Sequence, residues 1–365
     1  MRSQWRWGVV AAGTAALLLL PWTIARIPHS RSSIGAADLL TRVRASADVP
    51  YSGLAESEGG LQLPDARQFN SVANLVGGRS QLRVWYANPE LWRVDSITPT
   101  GEKDVHLDGR LLWEWDYETS VVDATIVDPG QMHLPRPSDL TPPELARRFL
   151  AHASPGDVTR LGTRRIAGRD APGVRYVPSE PESTIRAVDA WADPRTGLPL
   201  QVQALAKGGV NRPIESRFLE VRLAAPDEST IRFRPNLRSN VDFHLHEDLL
   251  TSLDTRFARE VPSALAGLPI APRSGSVPAV ALYGGGVTSM VLVPVPNYLA
   301  GSLIRQLSRA TGIPIDQSDY LDSINISVGP VNLLVASGQY RAYVLAGTVT
   351  LDGMQAALNE LAVLS

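Results

Sequence analysis

Two histidines separated by one residue, in the run His244-Leu245-His246-Glu247-Asp248, are the residues of this 365-residue chain most open to a chemical reading. On an extended strand they share a face, and with a third ligand from elsewhere they would hold zinc for a metal-dependent hydrolase. The plainer alternative is a solvated strand-to-helix junction whose acids favour a helix N-terminus, and this is the one we expect. Gly284-Gly285-Gly286 resembles a phosphate cradle, but a strand pattern follows it, so no helix N-terminus is offered to an anion and a hairpin turn is expected. Asp316, Asp319 and Asp322 lack the glycine and the closing glutamate of an EF-hand and are expected in a solvated loop. With no convincing nucleophile and base, carboxylate pair or metal cluster, the chain is expected not to be an enzyme and to carry no cofactor.

Binding is the other chemistry available, and the tryptophans speak to it. Trp5, Trp7 and Trp22 belong to an apolar N-terminal segment, whereas Trp85, Trp92, Trp113, Trp115 and Trp191 lie in a strand-rich region. Together with Leu111 these five are expected to form either a dry core beneath a covering helix or the lining of a cavity on the concave face of a curled sheet. Period-two alternation places Trp113 and Trp115 on one face. A cavity that accepts acyl chains would draw affinity from area removed from water, at roughly 25 cal/mol per Å².

Composition narrows the setting. The 35 basic and 37 acidic side chains give a formal net charge of −2, without the basic excess that nucleic-acid binding demands. Cysteine is absent, which removes disulfides, thiol nucleophiles, cysteine zinc sites and a lipid-modified cysteine anchor. Arg2 and Arg6 precede the apolar run Val9 to Ile24, after which Arg26, His29 and Arg31 return the chain to water, the pattern of an export signal. Counted from Trp7 to Ile27 the segment reaches the roughly 20 residues that a membrane helix needs. Its flanking tryptophans suit the membrane interface. Residues 7–27 are therefore expected to be a retained anchor in the cytoplasmic membrane, with cleavage and secretion as the alternative, and the rest of the chain extracytoplasmic.

A helix is expected over Ala36 to Ala47, then alternating strands from Val49, clearest at Gln81 to Tyr86, Leu91 to Ser96 and Leu111 to Asp116, with a turn at Asp108-Gly109. Thr141-Pro142-Pro143-Glu144 opens a helix with proline in its first turn. Strands resume at 162–166, 173–178, 185–192, 199–205, 214–223 and 230–233, with Asp193-Pro194-Arg195-Thr196-Gly197 as a turn. A helix over His246 to Arg259 leads to a stretch rich in proline and glycine, Pro262 to Pro278. Beyond it come strands at 280–283 and 287–293, a helix at 298–311, strands at 324–336 and 340–349, and a helix at 351–364 with Thr350 as cap. The expected division is 1–33 as anchor or signal, 34–235 as the first domain, 236–271 as helix and linker, and 272–365 as a small C-terminal α+β domain.

Several runs carry a family likeness. Leu82-Arg83-Val84-Trp85-Tyr86, then Asn88-Pro89-Glu90-Leu91-Trp92-Arg93-Val94, then Leu107 to Asp116, and later Val188-Asp189-Ala190-Trp191-Ala192-Asp193-Pro194-Arg195-Thr196-Gly197-Leu198-Pro199-Leu200, resemble the LolA/LolB/RseB superfamily. The likeness covers roughly residues 36–235. It implies an α+β fold whose core is a half-open antiparallel β-barrel with plugging helices, a cavity for acyl lipid or lipoprotein tails, and no enzymatic activity. The extra C-terminal domain favours the RseB-like branch, which implies a sigma-factor regulator bound to a membrane anti-sigma factor; a LolA-like carrier is the alternative.

Overall fold

The computed structural model describes residues 33–59, 78–98, 101–127, 133, 135–208, 214–234, 240–244 (backbone), 261–271, 280–317, 321–339 and 341–363. The candidate anchor at 7–27, the helix expected at 246–259 and the side chains of His244 and His246 lie outside these residues. Among the described residues no helix is long and apolar enough to cross a membrane.

Twelve strands form one open sheet in the order β12-β6-β5-β4-β3-β2-β1-β11-β10-β9-β8-β7. They are β1 (Tyr51–Glu58), β2 (Arg79–Asn88), β3 (Leu91–Thr98), β4 (Gly101–Asp108), β5 (Leu111–Asp116), β6 (Val121–Ile126), β7 (Val158–Ile166), β8 (Arg169–Tyr176), β9 (Ile185–Ala192), β10 (Pro199–Ala206), β11 (Ile214–Arg222) and β12 (Asn240–His244). Every pairing is antiparallel except that of β12 with β6. The sheet does not close: β7 and β12 remain its edges, as a half-open barrel requires.

Helices plug the inner face. α1 (Ala36–Arg44) buries Leu39, Leu40 and Val43 against Val174, Val188, Ala190 and Val202. α2 (Pro142–Phe149) adds Leu145 and Ala146 to the same core. Thr141 opens α2 without a side-chain cap, because its hydroxyl donates to Ser138 O at 2.9 Å. Arg44 joins the two helices by donating to Leu150 O at 2.9 Å and Ala151 O at 3.1 Å, carbonyls just beyond the end of α2.

The segment expected as a strand at 230–233 is instead a single helical turn, α3 (Glu228–Ile231). Asp227 caps it by accepting from Ser229 N at 2.8 Å, so local capping outweighs the alternation of Ile231 and Phe233. The strand expected over 324–336 is two strands, because Gly329 adopts φ 68° and turns the chain into a hairpin.

The second sheet has six strands in the order β15-β16-β20-β19-β18-β17. They are β15 (Ala281–Gly285), β16 (Thr288–Val295), β17 (Asp316–Gln317), β18 (Leu321–Val328), β19 (Val331–Gly338) and β20 (Ala342–Gly347), and the short hairpin β13 (Ala264–Leu265) and β14 (Leu268–Pro269) precedes them. α4 (Asn297–Thr311) packs Ala300, Ile304 and Leu307 on one face against Ile324, Ile326 and Val335. α5 (Leu351–Val363) packs Met354, Ala357 and Leu358 on the other against Leu334, Ala336 and Leu345. Burial on both faces explains the continuous apolar run of β19. Gly284-Gly285-Gly286 lies at the β15–β16 hairpin, as expected.

The two sheets meet through the loop before β9. Thr184 N donates to Thr348 O at 3.0 Å and Thr350 N to Glu182 O at 2.8 Å. The hydroxyl of Thr350 also caps α5 by accepting from Gly353 N at 3.2 Å.

Candidate functional site

The site begins with alternation on β1 to β5. Cross-strand register aligns Tyr51 with Tyr86, Tyr86 with Trp92, Trp92 with Leu107 and Leu107 with Leu112, while Val84 faces Val94. These side chains emerge on the inner face and form one wall of a cavity of about 550 Å³. A 3₁₀ turn (Pro137–Leu140) and α2 supply the opposite wall, through Asp139, Thr141, Glu144, Arg147 and Arg148. The volume is that of an ordinary small-molecule pocket. A shallower depression around Gly168, Arg169, Asp193 and Arg195 is charged and shares no lining with it.

The apolar wall is held rigidly. Tyr51 and Tyr86 stack with ring centroids 5.0 Å apart, and Phe218 meets Tyr51 edge-on at 5.5 Å. Tyr86 donates to Ala47 O at 2.7 Å. Burial pushes the Tyr86 hydroxyl up to about 12 and that of Tyr51 higher still, so both stay neutral. The opposite wall is charged and largely self-satisfied. Asp139 accepts from Arg136 N at 2.8 Å and from Arg148 at 3.2 Å, while Arg147 donates to Glu144 at 2.9 Å. One donor stands out: Arg147 Nη1 is buried and has no hydrogen-bond partner among the described residues. The cavity thus pairs an aromatic and aliphatic side with an arginine on its far wall.

Of the six residues singled out in the sequence, Trp92 lines this cavity. Trp85, Trp113 and Trp115 lie on the outer face of the same strands, since they alternate with Val84, Tyr86 and Leu112. Leu111 alternates with Leu112 and shares that outer face. Trp191 is buried in β9, where its Nε1 donates to Gly162 O at 3.0 Å and the Arg164 guanidinium lies 3.6 Å above its ring. Tyr51, Val84 and Tyr86 were not singled out as cavity residues, and the alternation of Val84 and Tyr86 with Trp85 was the signal that would have found them.

The outer face carries charge instead. Arg93 donates to both oxygens of Asp95, at 2.6 and 2.9 Å, and to Asp104 Oδ2 at 2.9 Å. His106 Nδ1 lies 2.5 Å from Ile231 O, and Phe233 covers the imidazole at 5.2 Å. Burial, reinforced by the Asp95 charge, pushes Asp104 up to about 7; burial holds His106 down near 4. No sequence motif marked this group, although Arg93-x-Asp95 and Asp104-x-His106 each have the spacing of a shared strand face.

No family profile and no curated protein matches the chain by sequence. Solved structures do resemble it. One of MucB in complex with MucA(peri) is 17% identical with a TM-score of 0.50, covering 88% of this chain and 96% of the other. One of Pseudomonas aeruginosa MucA/MucB is 18% identical with a TM-score of 0.48, covering 88% and 96%. A LolA superfamily protein from Nitrosomonas europaea is 13% identical with a TM-score of 0.24, covering 55% and 99%. The chain therefore has the fold of MucB over most of its length.

Proposed function

We propose that this chain is a non-enzymatic, extracytoplasmic regulator of the RseB type, which holds an acyl lipid or lipoprotein tail in its half-barrel and binds a membrane partner such as an anti-sigma factor. The cavity carries this reading: its one wall of Tyr51, Val84, Tyr86, Trp92, Val94, Leu107 and Leu112 suits an acyl chain. Area removed from water would supply the affinity. Arg147, with Nη1 unpartnered among the described residues, suits an acidic group at the head of that chain. Residues 34–235 would form the ligand-binding domain, 236–271 the connection and 272–365 the partner-binding domain, anchored outside the cytoplasm by residues 7–27.

A regulator needs ligand binding to change the affinity for its partner, which requires contact between the two parts. The bonds of Glu182 and Thr184 to Thr348 and Thr350 supply such a contact. They favour a regulator over a LolA-like carrier, which needs the cavity alone. The MucB structure, solved with MucA(peri), supports a protein partner by analogy.

Native mass spectrometry of the full chain, extracted from its own envelope and followed by organic extraction, tests the proposal. A co-purified acyl lipid that added lipid displaces is the expected result. A clean apo mass, with no uptake of added fatty acid or phospholipid, sinks it.

A further inference from the structure

Behind the cavity wall lies a cluster that the proposed function does not use. Asp95, Asp104 and His106 each present a ligating atom, and these atoms lie within 4.8 Å of one another. Their exposures are 1%, 1% and 3%. The sheet builds this arrangement: Asp95 faces Asp104 across β3 and β4, and His106 is two residues further along the same strand. All three therefore leave one face of two adjacent strands.

Two features of the cluster point to a missing cation. Arg93 is its one guanidinium among the described residues, and its charge balances one carboxylate, leaving the other over. Asp104 Oδ2 accepts from that arginine, whereas its Oδ1 is buried with no hydrogen-bond partner among the described residues. A buried carboxylate oxygen left unpaired is costly unless an ion or a proton meets it. The imidazole is set up in the same way. Nδ1, at 2.5 Å from Ile231 O, carries the proton, which leaves the lone pair on Nε2. Metal-bound histidines are oriented by this kind of bond from the second nitrogen to a backbone carbonyl. The Asp95 carboxylate is held by Arg93 as ligating carboxylates are, with further lone pairs available. Phe233, 5.2 Å from His106 and 5.1 Å from Trp113, adds an apolar shell.

We propose that Asp95, Asp104 and His106 bind one divalent transition-metal ion of the zinc class. Two oxygens and an imidazole nitrogen suit zinc better than calcium or magnesium, which take oxygen ligands throughout. The ion clips β3 to β4 and, through the His106 bond to Ile231, secures the 228–233 segment on the outside of the sheet. This inference is independent of the cavity reading. Its ion sits on the opposite face of the strands.

The test uses the full chain in detergent, stripped with chelator and titrated with Co²⁺ and then Zn²⁺. Expected are one equivalent bound per chain, a visible Co²⁺ ligand-field spectrum that Zn²⁺ abolishes, and a higher unfolding temperature with zinc. Asp104→Asn and His106→Gln should each weaken binding at least tenfold, while the double change His244→Gln and His246→Gln leaves it intact. Should either site variant fail to fold, the wild-type histidine resonances decide: zinc shifts that of His106. No stoichiometric uptake by the wild-type chain overturns the proposal and assigns the extra charge to a proton shared by Asp95 and Asp104. Uptake lost only in the His244/His246 variant overturns it equally.

Discussion

The two faces of strands β2 to β5 solve opposite problems with the same backbone. On the inner face Val84, Tyr86, Trp92, Val94, Leu107 and Leu112 leave space between themselves and a charged helical wall. On the outer face Arg93, Asp95, Asp104 and His106 are closed over by Ile231 and Phe233. Both faces are closed, since Val84, Val94 and Leu112 are as buried as Asp95, Asp104 and His106, and the inner face differs in enclosing a cavity. Burying the charges departs from the usual economy of a half-exposed sheet, in which charges meet water. A cavity lined by apolar side chains invites a guest, whereas charges shut in must be balanced by each other or by an ion.

The largest effect that tests this contrast is expected on the charged face. Arg93→Met removes the cation shared by two carboxylates and should destabilise the first sheet by about 3–5 kcal/mol, the usual cost of breaking a buried pair from one side. Urea unfolding followed by tryptophan fluorescence measures it. A loss below 1 kcal/mol would show that the outer face is not closed.

Trp92→Ala should act on ligand uptake. Removing about half of an aromatic ring's roughly 200 Å² of contact, at about 25 cal/mol per Å², weakens acyl binding by about 2.5 kcal/mol, close to sixtyfold in Kd. Trp113→Ala, on the other face, should leave that affinity within about twofold. Displacement of a fluorescent fatty acid distinguishes the two, and equal effects would erase the distinction between the faces.

Arg147→Met sharpens the comparison within the cavity. It should weaken binding of a fatty acid by about 1.5 kcal/mol, the lower end for a hydrogen bond to a charged group, and leave the matching fatty alcohol unchanged. Identical losses for acid and alcohol would reduce Arg147 to part of the wall.

The smallest effect is in the pH dependence of the metal-free protein. Asp104, raised from 3.8 to about 7, adds stability that is full below about pH 4 and lost as pH rises through 7. His106, lowered from 6.5 to about 4, adds stability that is present above 6.5 and lost as pH falls towards 4. The two oppose each other between about pH 4 and 6.5, where the unfolding midpoint should change little on their account. In His106→Gln the Asp104 contribution acts alone, and stability continues to climb on acidification relative to wild type. In Asp104→Asn it falls instead below 6.5. Parallel profiles for all three proteins would contradict the burial of this group.

Much of the fold was written in local pattern. The alternation of Gln81 to Tyr86 and of Leu111 to Asp116, the glycine turns at Gly109 and Gly197, and the cap at Thr350 each depend on a few neighbouring residues, and each is found in place. The misjudged elements were those decided by a single competing contact. Ile231 and Phe233 alternate like a strand, yet Asp227 caps a helical turn there and His106 holds the carbonyl of Ile231. Gly329 divides what reads as one long apolar strand. The candidate site was only partly legible: Trp92 was singled out as a cavity or core residue, but Tyr51, Val84, Tyr86 and Arg147 were not.

By itself the sequence determined the strand alternation, the positions of the turns and the absence of cysteine chemistry, because these follow from residue type and from periods of two and 3.6. It also determined that Trp113 and Trp115 share a face. Which face that is, and what lies over it, was decided by the tertiary structure. Alternation sorts side chains into two sets without saying which set the helices of residues 137–149 will cover and which the crossing at 228–233. Asp95, Asp104 and His106 became a cluster for the same reason. They sit on two strands whose register aligns them, and strand register is a property of the paired backbones rather than of either segment alone.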